Sequence, residues 1–171
     1  PGASLPNSLV QLSPITEFGS GAGYEYEDKV IHAFTHSNKG HWNLCHIPIL
    51  PVTGEVNPDD FASSFSHQHE SASPGYYQVL LERYGINAEL TTTLRCGYHK
   101  YTYKTGAAKK LVVNLAVSNE RVSGYAIEPD GDNSFKGYQN TRGKVYFYAV
   151  ANHNIKELAN LKGKQGVLPV V

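Results

Sequence analysis

The sequence predicts an all-β chain, an antiparallel β-sandwich left incomplete at its C-terminal end. Three observations carry that prediction. Short apolar or alternating runs recur between turn signals rich in Gly, Pro, Asn and Asp. The composition suits pleated sheets, with 12 Tyr, 6 Phe and an aromatic share of 11%. Helical periodicity is almost missing.

In chain order, "SLVQLS" (8–13) reads as a first strand and runs into the glycine-rich loop "FGSGAGY". "KVIHAFTH" (29–36) and "LCHIPIL" (44–50) follow, with Lys39 and Gly40 in their connector. Residues 53–75 read as one long loop that Pro74-Gly75 ends. "YYQVLLER" (76–83) turns at Tyr84-Gly85 into "INAELTTTLRCGYHKYTY" (86–103), a long strand that Gly97 divides with a bulge. After "KTGAAKK", "KLVVNLAV" (110–117) places Leu111, Val113, Leu115 and Val117 on one core-facing side. "RVSGYAIE" (121–128) and "SFKGYQ" (134–139) flank "PDGDN", a strong turn signal. "KVYFYAVA" (144–151) is apolar on both faces, which predicts a central strand covered on both sides. "NIKELANL" (154–161) carries the one helical period, two turns at most, and the closing "KGKQGVLPVV" reads as a strand cut short.

Composition sets the bounds. A chain of 171 residues suits one domain. With 15 acidic and 15 basic residues and no Lys/Arg run longer than two, it lacks the clustered basic face that nucleic acid requires. No apolar run approaches the roughly 20 residues of a membrane span. There is no Met and no signal-peptide pattern ahead of Pro1, so the chain reads as an excerpt of a longer polypeptide. Cys45 and Cys96 either pair across two strands or are two buried thiols.

The densest chemistry lies in "THSNKGHWNLCHIPILP" (35–51), which holds the single Trp. His36, His41, Cys45 and His46 approach zinc-ligand spacing. Within a strand, however, Cys45 and His46 point to opposite faces, which removes one of them, so ordinary strand and loop histidines are the alternative and no metal ligand is assigned. His67 and His69, if extended, share a face roughly 7 Å apart; a polar loop is the other reading. Arg95 and His99 on one strand face would stand about 14 Å apart and could line one wall of an elongated pocket. An exposed Arg–carboxylate pair is the plainer alternative. Nucleophile-elbow, P-loop and dinucleotide patterns are missing. Glu70, Glu89 and Glu128 are scattered, so no catalytic residue is nominated.

Four ordered blocks carry a resemblance over residues 1 to about 103. "PGASLPNSLVQLSP" resembles P-G-A-x-x-P-F-G-M-V-Q-L-S-P, and "AGYEYEDKVIHAFTH" resembles G-Y-x-Y-x-D-x-x-I-x-G-F-[ST]-H. "FSHQHESASPGYYQVLL" is similar to F-S-H-x-x-E-x-A-S-P-G-Y-Y-x-V, and "GINAELTTTLRCGYHKYTY" to G-I-x-A-E-L-T-x-T-x-R-x-G-x-H-x-Y-x-F. These are patterns of the N-terminal domain of glycoside hydrolase family 92, the calcium-dependent exo-acting α-mannosidases. "KVYFYAV" extends the likeness more loosely.

The resemblance implies the N-terminal sandwich of an inverting enzyme that hydrolyses terminal α-mannosides of glycans. Its edge would pack on a helical (α/α)6 domain of the same polypeptide. That domain would supply the acid and base carboxylates and most of the Ca²⁺ site, so residues 1–171 alone are expected to be inactive. A secreted, periplasmic or cell-surface bacterial location is implied by the family alone. The segment after the F-[ST]-H strand would reach the domain interface, where Trp42 stacks on the sugar beyond the scissile bond while His41 and Asn43 bond hydroxyls. The alternative is that Trp42 packs under its loop. One departure stands out: the family's P-F-G-M is Pro6-Asn7-Ser8-Leu9 here. That leaves open another linkage preference or a degenerate homologue. The competing function is a non-catalytic carbohydrate-binding module, with Trp42 and the Tyr-rich strands as its platform.

Overall fold

The alternation of apolar residues becomes two facing antiparallel sheets. The structure, a computed structural model, describes residues 2–164 and 166–171. With strands numbered in chain order, the six-stranded sheet runs β1 (Ser13–Ile15), β3 (Ala33–Thr35), β6 (Ile49–Val52), β12 (Lys110–Val113), β17 (Gly166–Val170) and β16 (Ala159–Gly163). Opposite it, a four-stranded sheet runs β11 (Gly97–Thr102), β10 (Ile86–Thr92), β9 (Tyr76–Leu81) and β8 (Glu70–Ser73). A three-stranded sheet runs β13 (Gly124–Pro129), β14 (Ser134–Asn140) and β15 (Lys144–Val150). Two short ribbons pair β2 (Val30–Ile31) with β7 (Ser63–Ser64), and β4 (Asn38–Lys39) with β5 (Trp42–Asn43).

Period-two burial explains the sandwich. Tyr77, Val79 and Leu81 on β9 and Ile86, Ala88 and Leu90 on β10 are buried, facing Phe34, Leu50, Val52 and Val112 of the larger sheet. The Phe34 ring meets Tyr77 edge-on and stacks on Tyr101, each at 6.4 Å between centroids. Each fully buried side chain of this size contributes about 1.5–3 kcal/mol. On the other face of the β1–β3 pair, Ile15, Ala33 and Cys45 form a second small cluster with Phe18.

Several expectations are corrected. The "KVYFYAVA" strand is not central: among the described residues β15 pairs with β14 alone, and Tyr146 and Tyr148 are 71% and 60% exposed. Tyrosine allows this, since its hydroxyl is content in water while its ring shields the sheet. "NIKELANL" forms no helix; its second half is β16, because a two-turn segment cannot meet the cost of helix nucleation alone. The closing run is not an open strand, since β17 lies between β12 and β16; Gln165 within it is outside the described residues. In 110–117 the strand stops at Val113, and Val112 is as buried as Val113 because β12 is covered on both faces.

The first strand starts at Ser13 rather than Ser8, after a bend in which Asn7 has φ 60°. Residues 44–48 lie outside the strands, with φ 55° at Cys45 and 50° at Ile47. The long loop holds β7, a 3₁₀ turn over His67–His69 and β8. The 86–103 run is a hairpin, not a bulged strand: Thr93 N–H bonds Cys96 O across the turn. Gly97 opens β11 without a side chain because a Cβ there would sit 2.9 Å from Leu12. Cys45 and Cys96 are both free, and Cys96 is exposed rather than buried.

Candidate functional site

Trp42 projects from the β4–β5 hairpin, whose register pairs Lys39 with Trp42 across Gly40-His41. Gly40 has φ 62°, suiting glycine at the first of two turn positions. Trp42 is 51% exposed, and its indole lies over the glycine loop: a Cβ on Gly21 would be 3.6 Å from Trp42 Cζ3. The exposed His41 ring stands 5.9 Å away, tilted toward the indole. Trp42 and His41 therefore offer one outward aromatic lip.

Asn43 does not join them. Its side chain is fully buried, with Oδ1 accepting from Thr35 Oγ1 at 3.0 Å and Cys45 N–H at 2.9 Å. That second bond turns the chain into the left-handed conformation of Cys45. Asn43 thus shapes the hairpin's exit, and no hydroxyl of an outside ligand reaches its Oδ1.

The hairpin's root is polar and buried. His46 Nε2–H donates to Glu120 Oε2 at 3.2 Å, which leaves Nδ1 to accept from Ser37 Oγ–H at 2.8 Å. Burial alone would raise the Glu120 carboxyl, but bonds from Thr141 and His46 and the charge of Arg142 hold it below the usual carboxylate range. Ile47 N–H reaches Gln139 Oε1 at 3.0 Å, steadying a positive φ that β-branched residues rarely adopt.

Arg95 and His99 are separated by the turn that sequence reading took for strand. Arg95 lies exposed on that turn, beside Leu9, whose N–H bonds Leu94 O at 2.7 Å. The segment that departs from the family pattern therefore borders the Arg95 turn. His99 points inward to the foot of the hairpin: its Nε2 is 3.1 Å from His36 Nε2 and its Nδ1 is 2.8 Å from Tyr101 Oη. His36 Nδ1 is buried without a partner. One imidazole donates and the other accepts across the Nε2–Nε2 contact, and the Tyr101 hydroxyl completes the chain at His99 Nδ1. Burial pushes His36 down to about 4 and His99 well below its usual value, the neighbouring His36 adding to the latter. The elongated pocket wall is not formed.

His36, His41, Cys45 and His46 take separate partners, and among the described residues no group of three or more His, Cys, Asp or Glu could hold a metal. Glu70 is turned inward, accepting from both Tyr24 and Tyr77 hydroxyls and from His67 Nδ1 at 2.6 Å. His67 Nε2 also donates to Tyr26 O, so both ring nitrogens carry protons and the imidazolium is favoured. Glu89 is held by Tyr76 and Lys100, and Glu128 lies near Lys136. A depression of about 370 Å³ sits instead beside Gln68, Ser71, Gln78 and Asn87.

Sequence reading missed Asn119, Glu120 and Gln139 altogether. They reach the hairpin over separations of 76, 74 and 92 residues. No local motif could have announced them.

The fold is an antiparallel β-sandwich domain with an aromatic lip on its surface. The chain matches the Glycosyl hydrolase family 92 N-terminal domain over residues 1–167 and belongs to that family. A family GH92 alpha-mannosidase from Bacteroides thetaiotaomicron superimposes with a TM-score of 0.91 at 23% identity, over 100% of this chain and 28% of that one. A GH92 inverting mannosidase from Bacteroides thetaiotaomicron VPI-5482 gives 0.81 at 23%, over 98% and 24%. A further gh92 family glycosyl hydrolase gives 0.69 at 26% identity, over 86% and 23%. The chain thus spans about a quarter of the length of these solved relatives. Comparison with curated protein sequences found no match.

Proposed function

We propose that this chain is the substrate-shaping part of an inverting, calcium-dependent α-mannosidase that removes terminal α-mannosides from glycans. The observation that carries the reading is the half-exposed Trp42 on its braced hairpin. An indole face stacks on the C–H face of a sugar, and His41 beside it can bond a hydroxyl. Trp42 would grip the leaving-group sugar, while a helical domain elsewhere in the polypeptide performs the proton transfers. Inversion needs two carboxyl groups about 6.5–9.5 Å apart with room for water. Glu89 and Glu120 are each pinned by donors that favour the ionised form, which suits structure better than acid catalysis, and Glu70 is engaged by two tyrosine hydroxyls and His67.

Among the described residues no group of three or more His, Cys, Asp or Glu side chains is placed to hold a calcium ion. Calcium dependence rests on the family, most of the ion's site is assigned to the helical domain elsewhere in the polypeptide, and no step here runs through it. Arg95 stays in the proposal as an exposed cation at the Leu9 side of the hairpin foot; His99 contributes only by bracing that foot. Secretion to a bacterial periplasm or cell surface is proposed on the same family grounds. No helix among the described residues is long and apolar enough to cross a membrane.

The test is Trp42→Ala in the full polypeptide. Its kcat/KM on a mannosyl disaccharide should fall about 10–200-fold, the effect of losing one apolar contact in a pocket, with a smaller loss on an aryl mannoside. Equal losses on both would move Trp42 out of the leaving-group site. A non-catalytic binding role draws on the exposed Tyr146 and Tyr148; glycan binding abolished by their replacement, without any mannose release from the full polypeptide, would favour it.

A further inference from the structure

We infer that Asn119 is a positioning residue for Trp42, an inference that rests on reading Trp42 as the sugar-facing ring. A primary amide offers one acceptor oxygen and two N–H donors. Asn119 engages all three groups. Its Oδ1 accepts from Gly19 N–H at 2.7 Å, and Nδ2 donates to Ser20 O at 3.0 Å and to Asn43 O at 2.9 Å. Its own N–H bonds Leu44 O at 3.2 Å, where Ser118 Oγ also donates at 2.7 Å.

These bonds close a frame around the indole. Gly19 and Ser20 lead into Gly21, on which the Trp42 ring rests, and Gly21 O accepts from Asn43 N–H at 2.9 Å. Asn43 is the residue after Trp42, so the surface beneath the ring and the backbone beside it are tied to one side chain. The strands do not supply that tie, because β4 and β5 are two residues each and pair only with one another among the described residues. Without Asn119, the glycine loop and the hairpin keep the Asn43–Gly21 bond, the packing of the Asn43 side chain on Gly23 and the indole's contact with Gly21, and the ring's angle to a sugar is held less firmly. A misplacement of about 1 Å is enough to impair a bound geometry severely.

The experiment uses the full polypeptide and reads two quantities. The difference in fluorescence against Trp42→Phe isolates the Trp42 indole, and its anisotropy reports how firmly the ring is held. Kinetics on a mannosyl disaccharide and an aryl mannoside report leaving-group selectivity. Asn119→Ala removes the frame. Asn119→Asp keeps the acceptor for Gly19 but turns a second acceptor toward two carbonyls. Both variants should lower the anisotropy and cut disaccharide kcat/KM about tenfold, while the aryl mannoside stays within about twofold. Tyr103→Phe, which removes a hydroxyl bond to Lys110 O at 2.9 Å, serves as the stability control and should change neither quantity. Unchanged anisotropy with equal kinetic losses would overturn the inference, as would Tyr103→Phe reproducing the effect. If Trp42→Ala itself leaves selectivity intact, the sugar-facing reading fails, and the anisotropy alone decides whether Asn119 positions the ring.

Discussion

In the four-stranded sheet, backbone amides pair along ladders from Tyr76 to Thr102, and side chains are left free to pack. Between Thr16 and Ile47 the arrangement is reversed. Strands are two or three residues long, and side chains take over the backbone bonding: Thr16 Oγ1 accepts from Glu25 N–H, Asn43 Oδ1 from Cys45 N–H, and Gln139 Oε1 from Ile47 N–H. A ladder spreads its bonding over many equivalent groups. An irregular segment concentrates it in a few amides supplied from far along the chain. The first region should fail through lost packing, the second through a single lost polar group.

The largest expected effect belongs to the ladder's core. Leu90→Ala, at a residue 1% exposed, should cost about 3 kcal/mol through transfer and cavity terms, lowering Tm by about 6–12 °C in thermal melts. Gln139→Ala should cost about 2–3 kcal/mol, because it strands Ile47 N–H and the carbonyls of Leu115 and Val117. The two should differ in location. Hydrogen exchange in Gln139→Ala should quicken at residues 36–47 well before β9 and β10, and a uniform increase would erase the distinction between the regions.

Acid should weaken the hairpin's foot next. His36 and His99 have folded-state values below their unfolded ones, so the unfolded chain binds protons that the native chain refuses. Their contribution is complete above about 6.5 and is lost as pH falls toward 4, at up to about 1.4 kcal/mol per pH unit for His36. His67 works in the opposite direction: its value is raised, so its contribution is present at acid pH and fades as pH rises through the folded value. Melts between pH 7.5 and 4.5 should therefore show a shallower acid loss in His99→Gln than in the native chain. An unchanged slope would remove the histidine pair from the account. The smallest effect is expected at Tyr146→Ser, within about 0.5 kcal/mol, since that ring is 71% exposed on an edge strand. A larger loss would mean that the outer face of β15 packs against something after all.

The sequence by itself determined the all-β class, because alternation in "YYQVLL" and "INAELTT" leaves one face apolar whatever surrounds it. It also determined the turns at Gly85 and Gly106, where positive φ favours a residue without a side chain, and it marked Trp42 as the single Trp in a His-rich segment between two strands, whose hairpin only the structure shows. What alternation cannot convey is which strand lies at an edge. "KVYFYAV" is apolar on both faces whether it is central or exposed, and only its pairing with β14 alone settled the matter. The site followed the same division. Trp42 and His41 were named on the resemblance, and the structure places both side chains at the exposed end of the β4–β5 hairpin. Asn43 turns inward because Thr35 and Cys45 N–H claim its oxygen, and His99 turns inward because the Thr93–Cys96 turn brings it against His36. Only the tertiary structure decided those orientations, since the groups that set them lie up to 63 residues away and a hydrogen bond is read in space rather than along the chain.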